Sequence, residues 1–167
     1  MYDELTKVDI DKMKAELDHR RLELRPKLIE DVQTARAFGD LSENFEYKAA
    51  KQDKNRNESR IRYLERMLKT AKIVSDTSGE DEVGIDNTVE LYFEEDDETE
   101  TYRLVTSVRG NSLEGRISIE SPLGKAILGH KEGDRVKVKT NGEDGYYIVV
   151  RSIDKSTDES GDEIRRF

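Results

Sequence analysis

Arg36-Ala37-Phe38-Gly39-Asp40-Leu41-Ser42-Glu43-Asn44-Phe45-Glu46-Tyr47 interrupts two long runs of helical periodicity. A break this short between two long helices makes them fold back on each other, so the stretch is the tip of a hairpin. It holds a Gly, several helix-capping residues and two carboxylates, Asp40 and Glu43, three positions apart.

Before the tip, the pattern is helical from about Asp9 to Ala37. Ile10, Met13 and Leu17 recur at steps of three and four, and Leu24, Leu28 and Val32 at steps of four. Arg20 falls where the stripe calls for an apolar residue. Pro26 lies inside the run, where a missing N–H and a crowded carbonyl predict a bend. After the tip, a second helix is predicted from about Glu43 to Val74. Its seam is Tyr47, Ala50, Lys54, Asn57, Ile61, Leu64, Leu68 and Ala71. The alternating steps are those of a heptad repeat, and the apolar positions gather far from the tip. The hairpin is therefore stapled at its base and wetter toward its end.

Ser75–Glu82 contains no apolar residue and marks a domain boundary. Beyond it the period changes to two. Thr88–Phe93, Thr101–Thr106, Arg116–Glu120, Arg135–Lys139 and Tyr146–Ile153 read as strands. One short helix interrupts them, with Ser121 as N-cap, Pro122 at the first helical position and Gly129 as the stop. The fold class is α+β: a long N-terminal antiparallel coiled-coil hairpin over 1–76, a linker over 77–82, a small antiparallel β domain with one short helix over 83–157, and a frayed polar tail over 158–167.

Of the 167 residues, 40% are charged and 34% hydrophobic, which suits a long solvated arm better than one compact core. There is no Cys, hence no disulfide and no thiolate metal site. No apolar run approaches the roughly 20 residues that span a bilayer, and no signal-peptide pattern opens the chain. These features predict a soluble cytoplasmic protein with no membrane partner. The formal charge of -9 is uneven: residues 1–79 sum to +1, residues 80–167 to -10, and residues 48–72 alone to +6. Such a basic stretch is either a solvated helix face or a local polyanion contact.

His19 and His130 have no metal-ligand spacing, and there is no nucleophile elbow or phosphate-binding Gly loop. That leaves the tip. Asp40 and Glu43 have two readings. They form a capping-box-like pair at the start of the second helix. Alternatively they are hard oxygen ligands for Mg²⁺, which would need a second site or a phosphate to complete its shell. Phe38 and Phe45 flank them, either closing the turn on each other or contacting a partner.

The run from Ala35 to Lys51 resembles the signature of the bacterial Gre transcript-cleavage factors, an Ala-Arg-x-x-Gly-Asp-Leu-x-Glu-Asn-x-Glu-Tyr pattern. The likeness continues at Arg25-Pro26, Ser59-Arg60-Ile61, Val83-Gly84, Tyr102–Val105 and Ser121–Gly129, so it covers most of the chain. The modest basic stretch favours the GreA branch. The resemblance implies an FKBP-like C-terminal domain that docks on bacterial RNA polymerase, with Ser121, Pro122 and Leu123 at the contact. It implies a coiled coil that enters the secondary channel, where the 3′ end of nascent RNA is extruded in backtracked complexes. Asp40 and Glu43 would then help seat a second catalytic Mg²⁺, shared with the polymerase, so that the polymerase cleaves its own transcript. Lys48, Lys51, Lys54 and Arg56 would attract the RNA. The factor would be a monomer and not itself an enzyme. Three alternatives stay open: a channel-binding inhibitor without cleavage activity, a coiled-coil adaptor, and a prolyl isomerase suggested only by the fold.

Overall fold

The structure, a computed structural model, describes residues 3–39, 44–142, 144–156 and 158–166. The chain divides into two compact units, Met1–Asp3 with Ile10–Lys72, and Glu4–Asp9 with Ile73–Phe167.

The first unit is the helical hairpin. Strand β1 (Glu4–Leu5), which belongs to the second unit, leads into α1 (Lys7–His19). A π-helical turn over Arg20–Leu24 follows, then α2 (Arg25–Arg36) and, after the tip, α3 (Phe45–Thr70). The bend predicted at Pro26 is replaced by that π turn. Pro26 has no N–H for the carbonyl four residues back, and its ring crowds that carbonyl. The Arg25 N–H reaches back five residues to the Arg20 carbonyl, so one extra residue is absorbed and the helix resumes with Pro26 in its first turn.

Met13 and Leu17 on α1 and Ile61 and Leu64 on α3 are buried as the seam predicts, whereas Met67 is buried in place of Leu68, and Ile10, Leu68 and Ala71 are half-buried. Arg20 keeps its place in the stripe because a polar layer receives it. Its Nη1 donates to Asn57 Oδ1 at 2.9 Å, and Asn57 Nδ2 donates to the Arg20 carbonyl at 3.2 Å. Glu16 accepts from Arg20 Nε at 2.7 Å and from buried Arg60 at 2.8 and 3.1 Å. Arg25 pairs with Glu58 through two 2.9 Å bonds, and Arg21 with Glu65 at 2.5 Å. Apart from the local Glu16–Arg20 pair, these bonds join residues 33 to 44 positions apart and fix the register of the hairpin.

Burial works to raise the Glu16 pKa, but the hydrogen bonds and charges of Arg60 and Arg20 outweigh it and hold it below the ordinary value of 4.5. A carboxyl depressed in the folded state stabilises above its unfolded pKa and loses that contribution as pH falls through the folded value. Glu16→Gln therefore flattens the fall in melting temperature between about pH 5 and pH 3 relative to wild type, as thermal melts across that range would show.

In the second unit, β3 (Thr88–Phe93), β4 (Glu98–Val105), β5 (Arg116–Ser118), β6 (Arg135–Val138) and β7 (Tyr146–Asp154) form one sheet in the order β5-β4-β3-β7-β6. β2 (Lys72–Ile73) pairs with β1. Alternation along each strand sends Val89, Leu91, Leu104, Val136, Val138, Ile148 and Val150 to one buried face, which α4 (Pro122–Ile127) covers with Ile127. The sheet departs from the antiparallel expectation at one edge: β5 runs parallel to β4, pairing Arg103 with Arg116. The chain reaches that edge through a crossover with two short 3₁₀ turns, Ser107–Arg109 and Ser112–Glu114.

The tail is not frayed. Asp162 is buried, its carboxylate meeting Arg103 and Arg109, and the Arg165 N–H donates to the Val108 carbonyl at 2.6 Å. Arg109, fully enclosed, is the centre of this cluster. It meets the Asp9 carboxylate through Nε, Asp86 at 2.7 Å and Asp162 at 3.0 Å. Thr106 Oγ1 donates to Asp9 at 2.6 Å, and the Thr6 N–H donates to the same oxygen at 2.8 Å. Burial alone would lower the Arg109 pKa; the Asp86 hydrogen bond and the charges of Asp9 and Asp86 raise it beyond the ordinary value. Among the described residues no helix is long and apolar enough to cross a membrane.

Candidate functional site at the hairpin tip

Helix α2 ends at Arg36, where the Ala37 N–H still reaches the Gln33 and Thr34 carbonyls, at 3.3 and 3.2 Å. Gly39 then takes φ +116°, a conformation open to glycine at little cost. Asp40, Leu41, Ser42 and Glu43 lie outside the described residues, so both carboxylates of the predicted site do as well.

The chain re-emerges at Asn44, which is the N-cap of α3: its Oδ1 accepts the Tyr47 N–H at 3.0 Å. This corrects the capping-box reading, because the capping role falls to Asn44 and not to Asp40. Asn44 does more than cap. Its Nδ2 donates to the Ala35 carbonyl at 2.7 Å, so one amide ties the end of α2 to the start of α3 and fixes both ends of the segment carrying Asp40 and Glu43. A second tie lies beside it, where Arg36 Nη2 donates to Tyr47 Oη at 3.2 Å and the guanidinium stands 5.4 Å from the ring centroid. The Arg36 hydrogen bond, with the charges of Arg36, Lys51 and Lys54, holds the Tyr47 hydroxyl below its usual pKa. The surface behind the tip is thus electropositive.

Asn44 is a good N-cap by residue type, a signal the sequence carries beside the acidic pair. Asn44→Ala removes the cap and the cross-helix bond together. It should cost about 1 kcal/mol of hairpin stability, measured by chemical denaturation, and slow any reaction that depends on how the tip is held.

Lys48, Lys51 and Arg56 are exposed and Lys54 is half-buried, all on α3 as predicted. Lys48 Nζ lies 5.6 Å from the Phe45 ring centroid. Phe38 and Phe45 are 70% and 79% exposed, so each offers most of its ring to solvent at the tip. The two histidines are surface residues, pairing with Glu23 and Asp134. In the second unit, Ser121 caps α4 through the Gly124 N–H at 3.0 Å and donates to the Ser118 carbonyl at 2.6 Å. Leu123 packs against the core, leaving Pro122 as the exposed member of the predicted contact.

Two family models match the chain. Residues 4–73 match the N-terminal domain of transcription elongation factors and residues 77–154 the GreA/GreB C-terminal domain. The transcription elongation factor GreA of Macrococcus caseolyticus is 42% identical over 134 residues, covering 80% of this chain and 85% of that protein. GreA of Brucella anthropi is 41% identical over 148 residues, covering 87% and 94%. Among solved structures, the GreA factor homolog Gfh1 of Thermus thermophilus is 31% identical, covering 92% of this chain and 99% of that one, with a TM-score of 0.43. Two GreA/GreB family models that together take in residues 4–73 and 77–154, and relatives more than 40% identical over most of the chain, show that the chain belongs to the GreA/GreB family of transcription elongation factors.

Proposed function

We propose that this chain binds bacterial RNA polymerase, inserts the hairpin tip into the secondary channel, and stimulates endonucleolytic cleavage of the 3′ end of backtracked nascent RNA. The single observation that supports it best is that Asn44 ties the end of α2 to the capped start of α3, so the stretch of sequence carrying Asp40 and Glu43 is anchored on both sides. Two carboxylates suit Mg²⁺, an ion that takes a few protein oxygens and completes its shell with water and phosphate. Seated there beside the polymerase's own ion, it would activate a water and stabilise charge on the leaving oxygen. Asp40 and Glu43 hold the oxygen ligands, and Asn44 holds the segment that carries them. Lys48, Lys51, Lys54 and Arg56 attract the extruded RNA through its phosphates, and Pro122 contacts the polymerase surface. The bond is broken in the polymerase active site, so the factor acts as a monomeric cofactor and not as an enzyme.

Purified backtracked elongation complexes test this. The protein should shorten the RNA from its 3′ end in a Mg²⁺-dependent manner. Binding without shortening would replace this reading with that of an inhibitor, and no binding would leave the adaptor.

A further inference from the structure

Leu113 is 96% exposed, beyond any other large hydrophobic residue among those described, and it is held there by a built turn. Asn111 Oδ1 accepts the Leu113 N–H at 3.1 Å, and the Asn111 carbonyl accepts from Glu114 at 3.1 Å. Asn111 and Arg116 exchange two backbone bonds of 2.9 Å, and Gly115 supplies the left-handed φ of +74° that closes the turn. Below it, Arg116 is buried, donating to the Arg109 carbonyl at 2.9 Å and pairing with Glu114 at 2.5 Å. An apolar side chain presented so rigidly is a feature of contact surfaces, where a preorganised anchor loses little freedom on docking.

The tail completes the surface. Its bond to Val108 and the burial of Asp162 lay Ile164, Arg165 and Arg166 alongside the Leu113 turn, forming an open groove of about 430 Å³. Glu163 also lines it, and Arg116 is already paired, so Arg165 and Arg166 make the groove basic on a unit that is otherwise strongly acidic. An apolar knob with two arginines suits an acidic protein segment that carries an apolar side chain. RNA fits less well, since among the described residues no aromatic ring lines the groove for a base to stack on. A second copy of the chain would bring its own charge of -9.

We propose that the Leu113–Arg165–Arg166 groove is a second docking surface for RNA polymerase, taking an acidic segment with an apolar side chain; this rests on the polymerase-binding reading above. The turn precedes β5 and the Pro122 loop follows it, so the two contacts lie at opposite ends of one edge strand.

The test is affinity for bacterial core RNA polymerase, measured by fluorescence anisotropy with wild type, Leu113→Asp and Arg165→Glu/Arg166→Glu. Leu113→Asp should weaken binding about tenfold with an unchanged melting temperature. The double charge reversal should weaken it more at low than at high salt. Affinities equal to wild type in both variants overturn this assignment alone. Failure of wild type to bind overturns the proposed function and this assignment with it. Self-association of wild type in sedimentation, abolished by Leu113→Asp while polymerase affinity is unchanged, assigns the groove to a second copy instead.

Discussion

Arg109→Ala should destabilise the second unit by about 3–5 kcal/mol, because it removes the cation from a buried cluster and leaves its carboxylates uncompensated. Asp9, Asp86 and Asp162 all meet this guanidinium, and Asp9 and Arg109 are fully enclosed. Asp162 belongs to the tail and Asp9 to the start of the chain, so the loss should also release the tail from Val108 and Arg103. Thermal denaturation would show the loss, and hydrogen exchange would show faster exchange at Arg165. Arg109→Lys keeps the charge but not the fork that meets three carboxylates at once, and it should recover only part of the stability. A melting temperature unchanged in Arg109→Ala would contradict the role given to the cluster.

Asp40→Ala/Glu43→Ala should lower transcript cleavage by about a hundredfold or more while leaving polymerase affinity unchanged. Removing ligands that stabilise charge at a reacting centre costs on the order of 10²–10³ in rate. Asn44 provides the helix cap, so the double substitution should leave hairpin stability within about 0.5 kcal/mol of wild type. That contrast separates the two residues from Asn44, whose substitution affects stability and rate together. Single-turnover cleavage and polymerase binding, measured on the same preparations, check both halves. An equal loss of affinity and rate would mean that the acids contact the polymerase and not the reacting centre.

The hairpin was legible because its seam steps by three and four and its apolar members stay at the base, where Met13, Leu17, Ile61 and Leu64 are buried. Arg20 was a visible irregularity whose meaning was not: Glu16 lies one turn before it, but its other partner, Asn57, is 37 positions away on the facing helix, and local periodicity carries no information about such a pair. Pro26 announced a disturbance, but the choice between a bend and a π turn depends on which distant side chains must stay in register. In the second unit the strands were legible from their period of two, whereas the parallel β4–β5 edge was not, since strand direction is set by the crossover. The Arg109 cluster was hidden for the same reason. It joins positions 9, 86, 109 and 162, none of which stands out among neighbours in a chain that is 40% charged. At the tip, residue types point to a metal-binding pair, and the N-cap of α3 is Asn44.

In the function proposed, Asp40 and Glu43 act through a divalent ion at the polymerase active site. The direct measurement is the cleavage rate in backtracked complexes at saturating factor, as a function of Mg²⁺ concentration, for wild type and Asp40→Asn. The neutral amide is a weaker ligand of nearly the same size. The account predicts a lower maximal rate and a higher Mg²⁺ requirement in the variant. An unchanged rate and Mg²⁺ dependence would contradict it.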